Sequence, residues 1–168
     1  MPEPFVAVVM GSDSDLPAMQ VTLDVLDKFD IKKEVKIASA HRTPEATHTY
    51  VREADARGCA VFIAAAGLAA HLAGTIAGLT VKPVIGVPMD VGPLDGMDAL
   101  LSTVQMPAGI PVAVMALGQA GAKNAAYLAA QILARNDPGL LQRLKQERAD
   151  NALAIQQKDD AVQQRLAE

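Results

Sequence analysis

Apolar residues in this chain fall into short unbroken runs separated by stretches of helical spacing. FVAVVM (5–10), AVFIAA (60–65), PVIGVP (83–88) and VAVMAL (112–117) show no polar alternation, whereas KEVKIA (33–38) alternates and reads as a strand nearer an edge. Strands covered on both faces read as continuous apolar runs, the mark of a parallel sheet between helices. Between the runs, Leu16, Met19, Leu23 and Leu26 keep helical spacing, Asp30 breaks the stripe, and Pro17 suits a first turn. Pro44 to Arg57 reads as a helix ended by Gly58 at the C′ position. Ala69 to Ala77 reads as a helix of small residues, Gly96 to Val104 as a short helix, and Gly121 to Arg135 as a helix stopped by Asn136 and Pro138.

The order βαβαβαβαβα predicts the α/β class: a three-layer αβα sandwich with a parallel sheet, flavodoxin- or Rossmann-like. The 168 residues read as a single domain, with a core over about 4–136 and a C-terminal helical extension over 137–168. In the extension Leu141, Leu144, Ala152, Ile155, Val162 and Leu166 make a thin stripe at near-heptad spacing. A lone helix with so narrow an apolar face gains little by itself. Packing against another subunit and disorder of its last part are the two readings. There is no tandem repeat.

Composition narrows the partners. From Cys59 to Val81 the chain carries no Asp, Glu, Lys or Arg, long enough to span a bilayer. Gly67, His71, Gly74 and Gly78 interrupt that run and its bulk is Ala, so a buried strand followed by a small-residue helix accounts for it better. MPEPFVAVVMGS has no basic n-region and no long apolar segment before Gly11, which argues against a signal peptide. The single cysteine, Cys59, excludes an intrachain disulfide, fits a reducing cytoplasmic setting, and reads as a small core residue. Net charge is -4, there is no Trp, and aromatics make up 3%. A nucleic-acid partner needs clustered cationic side chains and usually stacking aromatics, and the sequence shows no basic stripe.

In doubly wound sheets ligands bind beyond the C-terminal ends of the strands. That edge collects the polar residues: GSDSD after the first strand, SAHRTP after the second, AGLAAHLAG after the third and PMDVGPLDG after the fourth. In GSDSD, Gly11 permits close backbone approach, Ser12 and Ser14 offer hydroxyls, and the following helix offers N–H groups to an anion. Asp13 or Asp15 either accepts from a sugar hydroxyl or caps the helix, and a plain capped turn is the competing reading. The motif is neither a P-loop, nor GxGxxG, nor a G-x-S-x-G elbow.

SAHRTP joins an anion clamp to a proton carrier. Arg42 is a natural bidentate partner for phosphate, and His41, with an ordinary pKa near ~6.5, gives or takes a proton at neutral pH. The alternative, His41 as a cap and Arg42 solvated, carries less weight at a strand's C-terminal edge. His71 is either a satisfied semi-buried histidine or a pocket residue, and periodicity does not decide. His48 reads as a surface residue. A metal site from Asp13, Asp15, His41 and His71 lacks any local ligand spacing. A phosphorelay receiver needs an aspartate at the end of the third strand, where this chain has AAAGL.

VVMGSDSDLPAM, SAHRTPE, AAGLAAHLAG, PVIGVPM, LLSTVQMPAGIPVAVMALG and AGAKNAAYLAAQIL together resemble the bacterial, class I N5-carboxyaminoimidazole ribonucleotide mutases of purine biosynthesis. The likeness runs from about Phe5 to about Arg148, in the family's motif order. It implies an isomerase that moves a carboxylate from the exocyclic nitrogen of an aminoimidazole ribonucleotide to ring carbon C4. The implied course is decarboxylation in a closed pocket, retention of the CO2 and attack by the ring carbon. It implies no metal, no nucleotide cofactor and no biotin, and a homo-octamer with sites between subunits.

Carried over residue by residue, His41 is the acid–base group, while Gly11, Ser12, Ser14, Asp15 and Arg42 bind the ribonucleotide. Ser39 and the AAHL segment with His71 line the base and CO2 site, with Ala65, Ala66, Ala69 and Ala70 as small apolar walls. The chain departs from the family pattern GGAAHLPGM at Leu68 and Ala73. Two rivals stand beside the mutase. One is an aminoimidazole ribonucleotide carboxylase using free CO2, whose loop tends to carry Lys-Gly in place of Arg42 and Thr43. The other is a non-catalytic nucleotide-binding module of the same fold.

Overall fold

The structure, a computed structural model, describes residues 3–167. Five strands form one parallel sheet: β1 (Phe5–Met10), β2 (Lys33–Ile37), β3 (Cys59–Ala66), β4 (Val84–Pro88) and β5 (Ala113–Val114), in the order β2-β1-β3-β4-β5. This is a flavodoxin-like order, and the chain reverses direction across the sheet between β1 and β3. Six helices accompany it among the described residues: α1 (Leu16–Lys28), α2 (Pro44–Ala56), α3 (Leu72–Ala77), α4 (Met97–Val104), α5 (Gly118–Leu133) and α6 (Pro138–Ala167).

The central strands are buried on both sides, as their unbroken apolar sequence requires. Phe5, Ala7 and Val9 of β1 pack with Phe62 and Ala64 of β3 against Val51 and Ala54 of α2 and Leu72, Ala73 and Ile76 of α3. Val6, Val8 and Met10 point to the opposite face and are equally hidden. There α1 and α5 lie together: Thr22 Oγ1 donates to the Ala122 carbonyl at 2.7 Å, and the Phe29 and Tyr127 rings meet edge to face at 5.9 Å. Small residues on α5 (Ala122, Ala125, Ala126 and Ala129, all fully buried) allow this close packing.

Several expectations shift in detail. β2 is an edge strand, as its alternation suggested, and Val35 and Ile37 stay exposed. The run 112–117 is not a strand covered on both faces. β5 holds two residues at the opposite edge, with Ala113 exposed and only β4 as a neighbour. The buried stripe of α1 is Met19, Thr22, Val25 and Leu26, while Leu16 is exposed. α3 begins at Leu72, not Ala69, because Leu68 takes a left-handed φ of 55° and the turn after it closes by its own bond from the His71 amide to the Ala69 carbonyl. Gly58 does end α2, with φ 97°. At the same end Arg57 grips Glu34 of β2 through both guanidinium nitrogens, at 2.5 and 2.8 Å.

The chain divides into two compact units, one ending at Ala130 and the other starting at Gln131, a little before the expected start of the extension. In the second unit the extension is one helix of 30 residues, with Leu153, Ile155, Val162 and Leu166 exposed along it. The chargeless run 59–81 is split between β3 and α3, and none of the described helices is long and apolar enough to cross a membrane.

Candidate active site

The C-terminal ends of β1, β2 and β3 open into one cleft of ≈ 570 Å³. Because β2 and β3 flank β1 in the sheet, the turns that follow them stand on either side of the turn after β1. Gly11, Ser12, Ser14, Asp15, Ser39, His41, Arg42 and His71, all singled out on these turns, line this cleft, whereas Asp13 does not.

The turn after β1 is built by its own hydroxyl and carboxyl groups. The Gly11 amide continues the ladder to the Ala65 carbonyl at 3.0 Å. Ser12 then caps a single 3-10 turn, Asp13–Asp15. Its Oγ accepts from the Ser14 amide at 3.3 Å, and its own amide donates to Asp15 Oδ2 at 3.2 Å. The Ser14 hydroxyl donates to Ser12 Oγ at 2.9 Å. The capped-turn reading is therefore correct, and the same residues still face the cleft. Asp15 is only 6% exposed. Burial raises its carboxyl above the ordinary value, opposed by the Ser12 amide and assisted by Asp13.

The turn after β2 answers to the same logic. The Ser39 amide donates to Thr43 Oγ1 at 3.0 Å, and Ser39 Oγ accepts from the Arg42 amide at 3.1 Å. Thr47 Oγ1 reaches back to the Thr43 carbonyl at 2.9 Å, and Pro44 opens α2. The hydroxyls thus fix the loop, leaving the two long side chains between them to project. Arg42 Nη2 donates to the Gly11 carbonyl at 3.1 Å, which draws the guanidinium to the turn after β1.

His41 meets His71 of the β3–α3 turn. Their Nε2 and Nδ1 atoms lie 2.7 Å apart and the rings stand nearly perpendicular, at 87°. One ring donates and the other accepts, according to the tautomer. His71 is therefore a cleft residue, which settles the alternative left open by periodicity, while His48 lies partly buried in α2 outside the cleft.

The apolar lining differs from expectation. Ala66 and Ala69 are on the surface of the cleft, but Ala65 and Ala70 are packed behind it. Ala40, Gly67, Leu68, Leu72 and Val91 complete the wall. Val91 was missed; its only sequence signal was the position of MDVG after the fourth strand. Among the described residues no three His, Cys, Asp or Glu side chains converge as a metal site requires.

Comparison with known proteins places this chain in a family. The sequence profile described as AIR carboxylase matches residues 5–153. The chain belongs to the AIR carboxylase family. Within it, a protein of Pyrococcus abyssi named N5-carboxyaminoimidazole ribonucleotide mutase is 53% identical over 147 residues, 88% of this chain and 83% of that protein. A protein of the same name from Mycobacterium tuberculosis is 51% identical over 166 residues, 98% of this chain and 92% of the relative. The crystal structure of Treponema denticola PurE matches with a TM-score of 0.85 at 31% identity, covering 94% of this chain and 97% of that one. In this chain the cleft lies at the reversal between β1 and β3.

Proposed function

We propose that this protein converts N5-carboxyaminoimidazole ribonucleotide to 4-carboxy-5-aminoimidazole ribonucleotide in de novo purine biosynthesis, with His41 as general acid and base. The observation that carries the reading is the His41–His71 pair, 2.7 Å apart in a cleft whose rim holds Arg42. The names of the relatives, at about half identity over most of the chain, support the same reaction.

The reaction balances without an outside reagent. The bond from nitrogen to the carboxylate carbon breaks and its electron pair stays on nitrogen, which takes a proton from imidazolium His41. C4 of the ring then supplies a pair to CO2, forming the carbon–carbon bond, and its proton returns to His41. A positioned acid–base group of this kind contributes about 10²–10⁴-fold. Arg42, the hydroxyls of Ser12 and Ser14, and Asp15 hold the ribonucleotide. Ser39 and His71 face the base. The Ser12–Asp15 and Ser39–Thr43 turns that carry most of these residues are fixed by the side-chain bonds described above. The proposal includes a cytoplasmic homo-octamer; the row Leu94, Met97, Leu101 and Val104, exposed on and before α4, is the kind of face such an assembly covers.

The purified protein, given the N-carboxylated ribonucleotide without ATP, is expected to form the C-carboxylated isomer. His41→Asn is expected to lose at least ~10²-fold in kcat while binding persists, and Arg42→Ala to bind about 10- to 100-fold more weakly. Full turnover by His41→Asn refutes the assignment. Product formed only from free CO2 and the uncarboxylated ribonucleotide would make the protein a carboxylase, as the family description has it.

A further inference from the structure

The long helix α6 carries a face that the cleft does not use. At 3.6 residues per turn, Leu141, Leu144, Ala152, Ile155, Val162 and Leu166 fall in one stripe along it. Charges fill the two gaps: Arg148 stands between Leu144 and Ala152, and Asp159 between Ile155 and Val162. Apart from Leu144, every one of these side chains is exposed. The stripe is close to a palindrome about the point between Leu153 and Ala154. Leu141 mirrors Leu166, Ala152 mirrors Ile155, Arg148 mirrors Asp159, and Lys145, beside Leu144, mirrors Val162. Such a face matches a second copy of itself running the other way. The family profile ends at residue 153, so the far half of the mirror lies outside it.

The near half opens into a groove of ≈ 530 Å³ shared with the end of α5. Leu141 and Leu144 line it, together with Arg135, Lys145 and Arg148, and all its charges are positive. The mirror brings one acid, Asp159, and two apolar side chains, Val162 and Leu166, to that groove. Resting on the homo-octamer reading, we infer that α6 makes one of its two-fold contacts, packing antiparallel on α6 of a second copy with Arg148 against the partner's Asp159. Two such pairs flank the axis, and each copy fills the other's groove. A charged pair in an apolar seam sets the register, because a slip leaves each charge against an apolar side chain. A parallel pairing in register would oppose like charges at both positions. An isologous contact of this kind repeats every pair twice.

The single cysteine, Cys59, is buried, so cysteines placed on α6 report by themselves. In Leu141→Cys/Leu166→Cys the two thiols on one helix lie about 37 Å apart at ~1.5 Å per residue, and a disulfide between them joins two chains. After mild oxidation of the whole protein, peptide mapping is expected to find 141 joined to 166 between chains, and neither single variant cross-linked. Adding Arg148→Asp or Asp159→Arg is expected to lower the yield several-fold, and adding both to restore it, a rescue that a merely local role on the helix would not give. If the cysteine pair itself abolishes assembly, the charge series without it decides, read by sedimentation as the concentration at which the protein dissociates. Equal dissociation of the native protein and both single charge variants then overturns the inference. An oligomer that lacks the 141–166 link, that joins like positions, or whose yield the double exchange fails to restore overturns it too, and leaves the assembly standing. A native protein that sediments as a monomer removes the octamer reading, and the inference with it.

Discussion

Replacing Leu68 by alanine and by glycine separates backbone strain from packing, and the order of the two variants is predicted from the structure. Leucine here is 52% exposed, so it gains about half of the ~1.5–3 kcal/mol of a fully buried leucine, roughly 1 kcal/mol. Both substitutions lose most of that. Alanine keeps a Cβ at φ 55° and so keeps a left-handed cost of about 1–2 kcal/mol. Glycine removes that cost but adds ~0.5–1 kcal/mol of unfolded-state entropy. The difference leaves Leu68→Gly more stable than Leu68→Ala by roughly 0.5–1 kcal/mol, the reverse of the order in ordinary backbone. For a chain of this length that is about 1–4 °C in Tm. Thermal melts at one fixed protein concentration measure it. Leu68→Ala melting at or above Leu68→Gly would show that the backbone at this position is not left-handed, and the account of why α3 begins at Leu72 would fail with it.

Two further outcomes follow from buried ionisable groups. The Asp15 carboxyl is raised by burial, so the folded chain holds its proton more tightly than the unfolded chain. That contribution is present below the ordinary carboxylate value and is lost as pH rises through the raised one. Asp15→Asn, whose Oδ1 still accepts from the Ser12 amide, is therefore expected to gain stability relative to the native protein as pH rises above the ordinary carboxylate value. A difference in Tm that is flat or opposite in sign refutes this. Cys59 is fully buried, its thiol directed at the Val61 carbonyl at 3.3 Å, and burial pushes its pKa up to about 11. Near pH 8 roughly one such thiol in a thousand is ionised, so Ellman's reagent is expected to label Cys59 only after denaturant is added; prompt labelling of the native protein counts against its core position.

The resemblance in the motifs, the family profile and the relatives agree on one fold, and the reason lies in local chemistry. A strand buried on both faces must be apolar throughout, so β1, β3 and β4 are written in the chain as FVAVVM, AVFIAA and PVIGVP. An edge strand need not be, and the alternation of KEVKIA reports the edge position of β2. Gly58 and Pro44 mark the ends of α2 because φ at those positions is a property of the residue itself. The candidate turns were legible for the same reason: Ser12, Ser39 and Thr43 sit where short side chains can cap their own backbone.

What the linear pattern leaves undetermined is anything that depends on which neighbours a segment finds. VAVMAL has the composition of a central strand, yet only Ala113 and Val114 pair, because nothing lies beyond β5 among the described residues. Ala69–His71 has the composition of a helix, yet it is a turn, because Leu68 is held left-handed by contact with a glycine 24 positions on, at 92. His41 and His71 are 30 residues apart, and each by itself is an unremarkable loop histidine. Local chemistry put both at the C-terminal ends of strands. The strand order, with β2 and β3 on either side of β1, brought the two rings within a hydrogen bond, since parallel crossovers carry distant turns to one edge of the sheet.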